Sequence, residues 1–370
     1  MAEYIHELPD WPRFRWSREL LAEKLAAVRH NQGRLLGRME SLGFPLRQNA
    51  VLDTLTADVL KTSEIEGERL DLEMVRSSIA RRMGMEIGGL EAVDRDVEGV
   101  VEMMLDATRN YRQPLTAERL FAWHASLFPS GRSGMKRIET GRWRTQSSGP
   151  MQVVSGPVGR ERVHFEAPEA VRLDREIQAF LEWFNAAGED WVVKAALGHL
   201  WFVTIHPFED GNGRIARAIA DMALARSEDS SQRFYSMSAQ IRVERAEYYQ
   251  RLEQAQRGTM DATAWMDWFL ACLGRAMQGA QTALSGVLAR SRFWESVATV
   301  PLNERQRLVL MQLLDGFEGS LTTSKWAKLA KCSQDTAARD ILALIEAGIL
   351  LRSREGGRST SYALAEISPA

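Results

Sequence analysis

Residues 195–217 constrain this chain more than any other stretch. From 195 to 208 the sequence is mostly apolar, but it is short and carries two histidines, so it reads as a buried helix rather than a membrane span. It then runs into His206-Pro-Phe-Glu-Asp-Gly-Asn-Gly-Arg-Ile-Ala-Arg217. Small and polar residues make a loop here, and a new helix starts near Asn212. Gly211 and Gly213 let the backbone approach a ligand and turn its N–H groups inward. The N-terminus of the next helix points at the same spot and favours an anion. Arg214 and Arg217 are three apart, hence near one helix face, and guanidinium forks suit phosphate oxygens. Asp210 is a hard oxygen ligand suited to Mg²⁺ bridging two phosphates. His206 at the loop mouth can take a proton near neutral pH. A lone histidine before proline, or a lone Gly-Asn-Gly, is ordinarily structural. Their ordered conjunction within 12 residues points to a nucleotide-phosphate site with a general base.

The rest of the chain reads as mainly α. Leu20, Leu21, Leu25 and Val28 form one apolar stripe, and Val51, Leu52, Leu55, Val59 and Leu60 another. Helical spacing recurs at about 92–109, 115–127, 169–186, 190–205 and 212–293. Residues 141–165 differ: Trp143, Val153, Val154, Val158 and Val163 stand among Gly149, Pro150, Gly156, Pro157 and Gly159, a β-hairpin set in a helical protein. Beyond Val300-Pro301, helices are expected at 303–315, from a cap at 321–324 to Ala330, and from a Ser333 cap to Ala347-Gly348. A hairpin follows, with 355–358 as its turn. Three helices and a hairpin are a winged helix-turn-helix pattern.

Composition excludes several classes. Lys and Arg number 47 against 49 Asp and Glu, for a net charge of −2, so the chain is no polycationic nucleic-acid coat. Two cysteines without a CxxC pair build neither a metal cluster nor a disulfide framework, which favours a reducing cytoplasm. The N-terminus lacks a basic region followed by an apolar run, so no signal peptide is expected. At 370 residues, two or three domains are expected.

The 206–217 segment resembles the Fic-family signature HPFx[DE]GNGRxxR at every defined position. The resemblance extends over about 50–285, and the Trp-rich start and winged-helix end resemble domain neighbours in one bacterial branch. It implies a Fic-type helical core with a β-hairpin flap over the site. It also implies AMP transfer from ATP to a Ser, Thr or Tyr hydroxyl of a target protein, with release of pyrophosphate. His206 would be the base and Asp210 the Mg²⁺ ligand. Asn212 and the backbone of Gly211 and Gly213 would cradle phosphates, Arg214 would contact the β-phosphate region, and Arg217 the γ-phosphate. Phe208 would anchor the loop. Gly213 stands where a phosphorylating branch has lysine. Tyr249 would pack by the nucleoside, and Gln256 stands where relatives often have Asn.

A second resemblance lies upstream. Thr62-Ser-Glu-Ile-Glu66-Gly67 fits the family's inhibitory motif [ST]xxxE[GN]. Glu66 would pair with Arg217 and take the place of the γ-phosphate. The expected organisation is an N-terminal helical region, 1–110, with the inhibitory helix at about 49–67. The core follows at 111–285 with a flap at about 149–165, then a linker at 286–301 and the winged-helix domain at 302–370. Arg160, Arg162 and His164 read as ordinary solvated residues of the flap.

Residues 302–370 hold nine Lys/Arg and eight Asp/Glu. Asp335, Asp340 and Glu346 stand against one Arg339 on the candidate recognition helix, with a small basic wing of Arg352, Arg354 and Arg358. On that charge balance, DNA binding is open but not favoured over protein recruitment or a homodimer. The target protein is unidentified; self-modification is the default, with Ser359 and Thr360 as candidate hydroxyls, and no membrane association is expected. Two alternatives to an auto-inhibited transferase stay open: a winged-helix regulator using the core as a nucleotide sensor, and a net AMP-removing enzyme.

Overall fold

In the computed structural model, residues 3–85, 93–156, 160, 162–314, 317, 320–352 and 360–365 are described. The chain divides into two units, Met1–Gln281 and Thr282–Ala370. Both are mainly helical.

In the first unit, α1 (Arg18–Glu40), α2 (Phe44–Ile65), α3 (Leu72–Arg82), α4 (Arg95–Arg109) and α5 (Ala117–Leu127) come first. Most of these starts are written in the sequence: Ser17, Asp71, Asp94 and Thr116 each accept a hydrogen bond from a first-turn N–H, and α2 has Pro45 in its first turn. A small hairpin, β1 (Arg132–Ser133) with β2 (Lys136–Arg137), precedes a second, β3 (Gln152–Ser155) with β4 (Arg162–Glu166). The second lies within the expected flap, and part of its tip falls outside the described residues. The N-terminal segment supports its base: Tyr4 meets Phe165 edge-on at 5.1 Å, and His6 Nε2 lies 2.8 Å from the Glu166 carbonyl.

The core is built on α6 (Leu173–Asn185), α7 (Trp191–Ile205), α8 (Asn212–Glu228), α9 (Met237–Val243), α10 (Arg245–Gln256) and the first part of α11 (Thr263–Ser296), whose residues from Thr282 on belong to the second unit. Every residue of α7 after Trp191 is buried, as a uniformly apolar helix requires. α11 occupies most of the 286–301 stretch read as a linker from sequence. Leu20, expected in the first stripe, is 73% exposed. The buried set of α1 is the narrow seam Leu21, Val28, Gln32, Leu35 and Met39; Leu20 sits about 100° round the helix from it.

The second unit contains α12 (Glu304–Leu314), α13 (Thr323–Leu329), α14 (Gln334–Glu346), β5 (Leu350–Arg352) and β6 (Tyr362–Leu364). Trp326, Ile341, Leu344, Ile349 and Leu350 are central to its core. The expected turn at 355–358, Arg354 and Ser359 lie outside the described residues. No helix among the described residues is long and apolar enough to cross a membrane.

Candidate functional site

α7 ends at His206, whose φ of 52° is left-handed and turns the chain sharply into the loop. A non-glycine residue holds that conformation only when its surroundings fix it. Arg144 does so. It is 4% exposed, donates from Nε to the His206 carbonyl at 2.8 Å and from Nη2 to the Pro168 carbonyl at 2.5 Å, and its own N–H donates to the Pro207 carbonyl at 2.9 Å. Its role was not legible in the sequence. Burial pulls its pKa down to about 10.

His206 Nδ1 lies 3.2 Å from the Val203 carbonyl. A carbonyl only accepts, so Nδ1 carries the proton and Nε2 keeps its lone pair, with no hydrogen-bond partner among the described residues. Burial brings the His206 pKa down to about 4, and Arg144 adds to that; the imidazole is therefore neutral near pH 7.

The loop is locked from below. Phe208 is fully buried, stacked on His124 at 4.1 Å and tilted against Trp143 at 5.0 Å. Both ends of the Asn212 amide are engaged: Oδ1 accepts from the Phe208 N–H at 3.0 Å, and Nδ2 donates to the Phe208 carbonyl at 2.8 Å. The Asn212 side chain thus closes the loop, leaving only its backbone N–H for an anion. Gly211 is the N-cap of α8 with φ of 80°, and a Cβ there would press on the Phe128 ring at 2.9 Å. The first N–H groups of α8 are left to face the loop mouth.

Asp210 Oδ1 accepts from the Gly211 N–H at 2.6 Å, and Oδ2 accepts from the Ser133 hydroxyl on β1. No group of three or more His, Cys, Asp or Glu able to hold a metal occurs among the described residues. One carboxylate beside an anion site still fits Mg²⁺, which keeps water and phosphate oxygens in most of its shell.

Both arginines of the loop helix are buried, and both are paired. Arg217 is 2% exposed. It donates from Nε to Thr62 Oγ1 at 2.7 Å, and from Nη2 to the Thr62 carbonyl at 2.9 Å and to Glu66 Oε1 at 2.7 Å. Its Nη1 has no hydrogen-bond partner among the described residues. Burial alone would lower the Arg217 pKa; the Glu66 carboxylate, with Tyr248 and Tyr249 beside it, keeps the net shift upward. Arg214 donates from Nη1 to Glu68 Oε2 at 2.6 Å and lies over the Phe128 ring. Burial pushes the Glu68 carboxyl up although Arg214 opposes it, and the charge of Asp210 adds to the rise. Glu68 was missed from sequence because it lies outside the inhibitory motif.

The turn that ends α2 aims both carboxylates. Gly67 takes φ of 89°, and the Gly67 and Glu68 N–H groups return to the Glu64 and Ser63 carbonyls. α10 holds this end in place: Arg245 Nε and the Tyr249 hydroxyl both donate to the Ile65 carbonyl, at 2.9 and 3.3 Å. Gly213 completes the fit, since a Cβ on it would lie 2.2 Å from Glu66 Oε1. Gln256 is buried and donates to Thr204 Oγ1 at 3.4 Å. The flap is tied to α10 as well. Arg162 and His164, read from sequence as solvated, both reach Glu253, at 3.0 and 2.9 Å.

Residues 114–224, which include this loop, match the Fic/DOC family, and residues 4–85 match a domain of unknown function, DUF4172. The protein adenylyltransferase Fic of Nematostella vectensis is 24% identical over 224 residues, 58% of this chain and 46% of that protein. The protein adenylyltransferase fic-1 of Caenorhabditis elegans is 28% identical over 205 residues, 55% of this chain and 37% of that protein. The chain thus spans less than half the length of these relatives. A crystal structure of a Fic family protein from Desulfovibrio desulfuricans G20 covers 95% of this chain and 97% of its own, with a TM-score of 0.52 at 20% identity, which is a likeness of fold. The loop that turns at His206, its buried arginines and the helical frame that carries them are accordingly those of a Fic/DOC domain, which this chain carries over residues 114–224.

Proposed function

We propose that this protein transfers AMP from ATP to a hydroxyl side chain of a target protein, and that its resting state is held off by Glu66. One observation carries the reading. A neutral histidine with a free Nε2 sits at the mouth of a helix-N-terminal anion site that contains two buried arginines. His206 Nε2 takes the proton of the target Ser, Thr or Tyr hydroxyl. That oxygen bonds to the α-phosphorus, the bond from the α-phosphorus to the β-bridging oxygen breaks, and pyrophosphate leaves. The N–H groups of 212 and 213 and the guanidinium of Arg214 hold the phosphate charge; positioning and electrostatics supply the rate. Asp210 would hold Mg²⁺, which neutralises phosphate charge. Tyr249 of α10, against the end of α2, is proposed for the nucleoside side. Gln256, buried against Thr204, would shape that pocket from behind.

The γ-phosphate needs the Arg217 fork, whose Nε and Nη2 are held by Thr62 and Glu66. Glu66 has to leave before the triphosphate can lie along the loop. The strands of the flap each keep one edge unpaired within their two-stranded sheet, and an extended target segment can pair there.

The test is transfer of label from [α-³²P]ATP to protein in Mg²⁺, with cell lysate as a source of targets. Glu66→Gly is expected to raise labelling about 5- to 150-fold, the usual range of coupling between two sites. His206→Ala in that background is expected to remove about 10²- to 10⁴-fold, the worth of a general base. Labelling that survives His206→Ala, or its absence in every form, overturns the proposal.

A further inference from the structure

The second unit has a feature that its charge count conceals. Leu321 forms an antiparallel bridge with Tyr362, adding a third strand position to the β5–β6 hairpin. The order is therefore helix, bridge strand, helix, helix, hairpin. α13 and α14 are joined by residues 330–333, where Lys331 takes φ of 48° and Ser333 caps α14 by accepting from the Thr336 N–H at 3.2 Å. Two helices joined by so short a turn make a helix-turn-helix, which offers its second helix to a groove.

Between 321 and 352 the sequence has five Lys/Arg and three Asp/Glu. By sequence alone, Asp340 counts against a polyanion. In the fold it turns inward and is 6% exposed. It accepts from Asn303 Nδ2 at 2.9 Å and from Arg305 Nε and Nη2 at 2.8 and 3.1 Å. Its charge is paired with Arg305 of α12. Lys325, Lys328, Lys331, Arg339 and Arg352 are all exposed, and none forms an ion pair among the described residues. Only Asp335 and Glu346 remain exposed against them. Lys325 and Lys328 lie side by side on α13, three residues apart. Exposed Gln334 and Arg339 supply hydrogen-bonding side chains on α14. Arg354 and Arg358 lie outside the described residues and carry none of this.

We propose that the 321–352 face of the second unit binds duplex DNA. α14 lies in the major groove, and Lys325, Lys328, Lys331 and Arg352 neutralise backbone phosphates. Complementarity of charge selects this occupant: exposed cations on α13, in the turn that leads into the capped α14 and on β5, none ion-paired among the described residues, suit a regular polyanion.

The test uses the full chain and fluorescence anisotropy of a labelled random-sequence 25-base-pair duplex. At 50 mM salt the dissociation constant is expected on the order of 10⁻⁶ M or tighter. With four phosphates neutralised, log K should fall with log salt at a slope of about −4, roughly a hundredfold between 50 and 200 mM. The triple variant Lys325→Glu, Lys328→Glu, Lys331→Glu should lose at least tenfold in affinity and flatten the slope by about three. A milder variant, Arg339→Gln, should weaken binding without changing the thermal transition. As a control for net charge, Arg13→Glu, Arg15→Glu, Arg18→Glu in the first unit should bind as the parent does. Absence of binding at 50 mM salt, or an equal loss in the control, overturns the proposal. So does a change in sedimentation of the DNA-free triple variant, which would assign the face to a second copy of the chain.

Discussion

Two junctions in this molecule are built alike and used differently. α7 meets α8 through His206 at φ of 52°, and α13 meets α14 through Lys331 at φ of 48°. In each, a non-glycine residue in the left-handed region reverses the chain, and a fresh helix N-terminus follows. The difference lies in the cations. Arg214 and Arg217 are buried, and each is matched by a carboxylate from the turn that ends α2. Lys325, Lys328 and Lys331 are exposed and unmatched among the described residues. A buried guanidinium has lost its hydration and needs a partner at every moment, so an anion entering the first junction must exchange with Glu66 or Glu68. An exposed ammonium holds its counterions loosely and exchanges them with any phosphate backbone. The first arrangement makes a gated site for one small anion, and the second an open, salt-sensitive surface.

The strongest way to break this contrast is to unseat the gate without touching its charges. Gly213→Ala places a methyl group 2.2 Å from Glu66 Oε1 and 3.2 Å from Arg217 Nη1. The carboxylate is the end of a flexible side chain and yields first, so the variant should label protein on the order of tenfold more than the parent, within the usual range for coupled sites. The added methyl should give no further gain in the Glu66→Gly background, because the two changes remove the same contact. Additive gains measured with [α-³²P]ATP would mean that Gly213 acts on the nucleotide and not on Glu66.

Glu68 should matter less. Its side chain is 43% exposed and its partner Arg214 is nearly buried, so the pair is worth up to about 1 kcal/mol. Glu68→Gln keeps the shape and removes the charge. Labelling should rise about two- to fivefold, seen mainly as a lower KM for ATP, since Arg214 is then freer to meet phosphate. An unchanged KM would make Glu68 a bystander of the α2 turn.

How much of this was legible follows from how far apart the cooperating residues lie in the chain. The loop at 206–217 was readable because its chemistry is written in contiguous residues, and the Glu66 motif because the loop gave it a partner to look for. Asn212 was assigned to phosphate, as a polar side chain in an anion loop invites. Only the fold reveals that both ends of its amide are engaged by Phe208. Arg144 and Glu68 act on residues 62 and 146 positions away, and no periodicity marks such pairings. Asp340 gives the same lesson in reverse: a charge read as facing outward is buried and turns to Arg305 of α12. Helix spans were legible wherever caps and apolar stripes agreed. Leu20 failed because the apolar seam of α1 is only one residue wide at that point.

The smallest expected effect is an absence. A histidine on an exposed junction would titrate near 6.5, and its basic fraction would fall about fourfold between high pH and pH 6. His206 sits instead in the buried junction, where desolvation holds its pKa at about 4. The neutral imidazole, the form that accepts a proton, is then the main species throughout the range from 8 to 6. Removing Glu66 also removes a nearby charge that raises this pKa, so the released enzyme should be no more acid-sensitive in that range. In Glu66→Gly, kcat/KM for label transfer should change less than about twofold between pH 8 and pH 6, because that profile reports the free enzyme's base. A limb centred at 6.5 would mean that the loop opens to water before the hydroxyl arrives, and the distinction between a gated and an open junction would fail at its central residue.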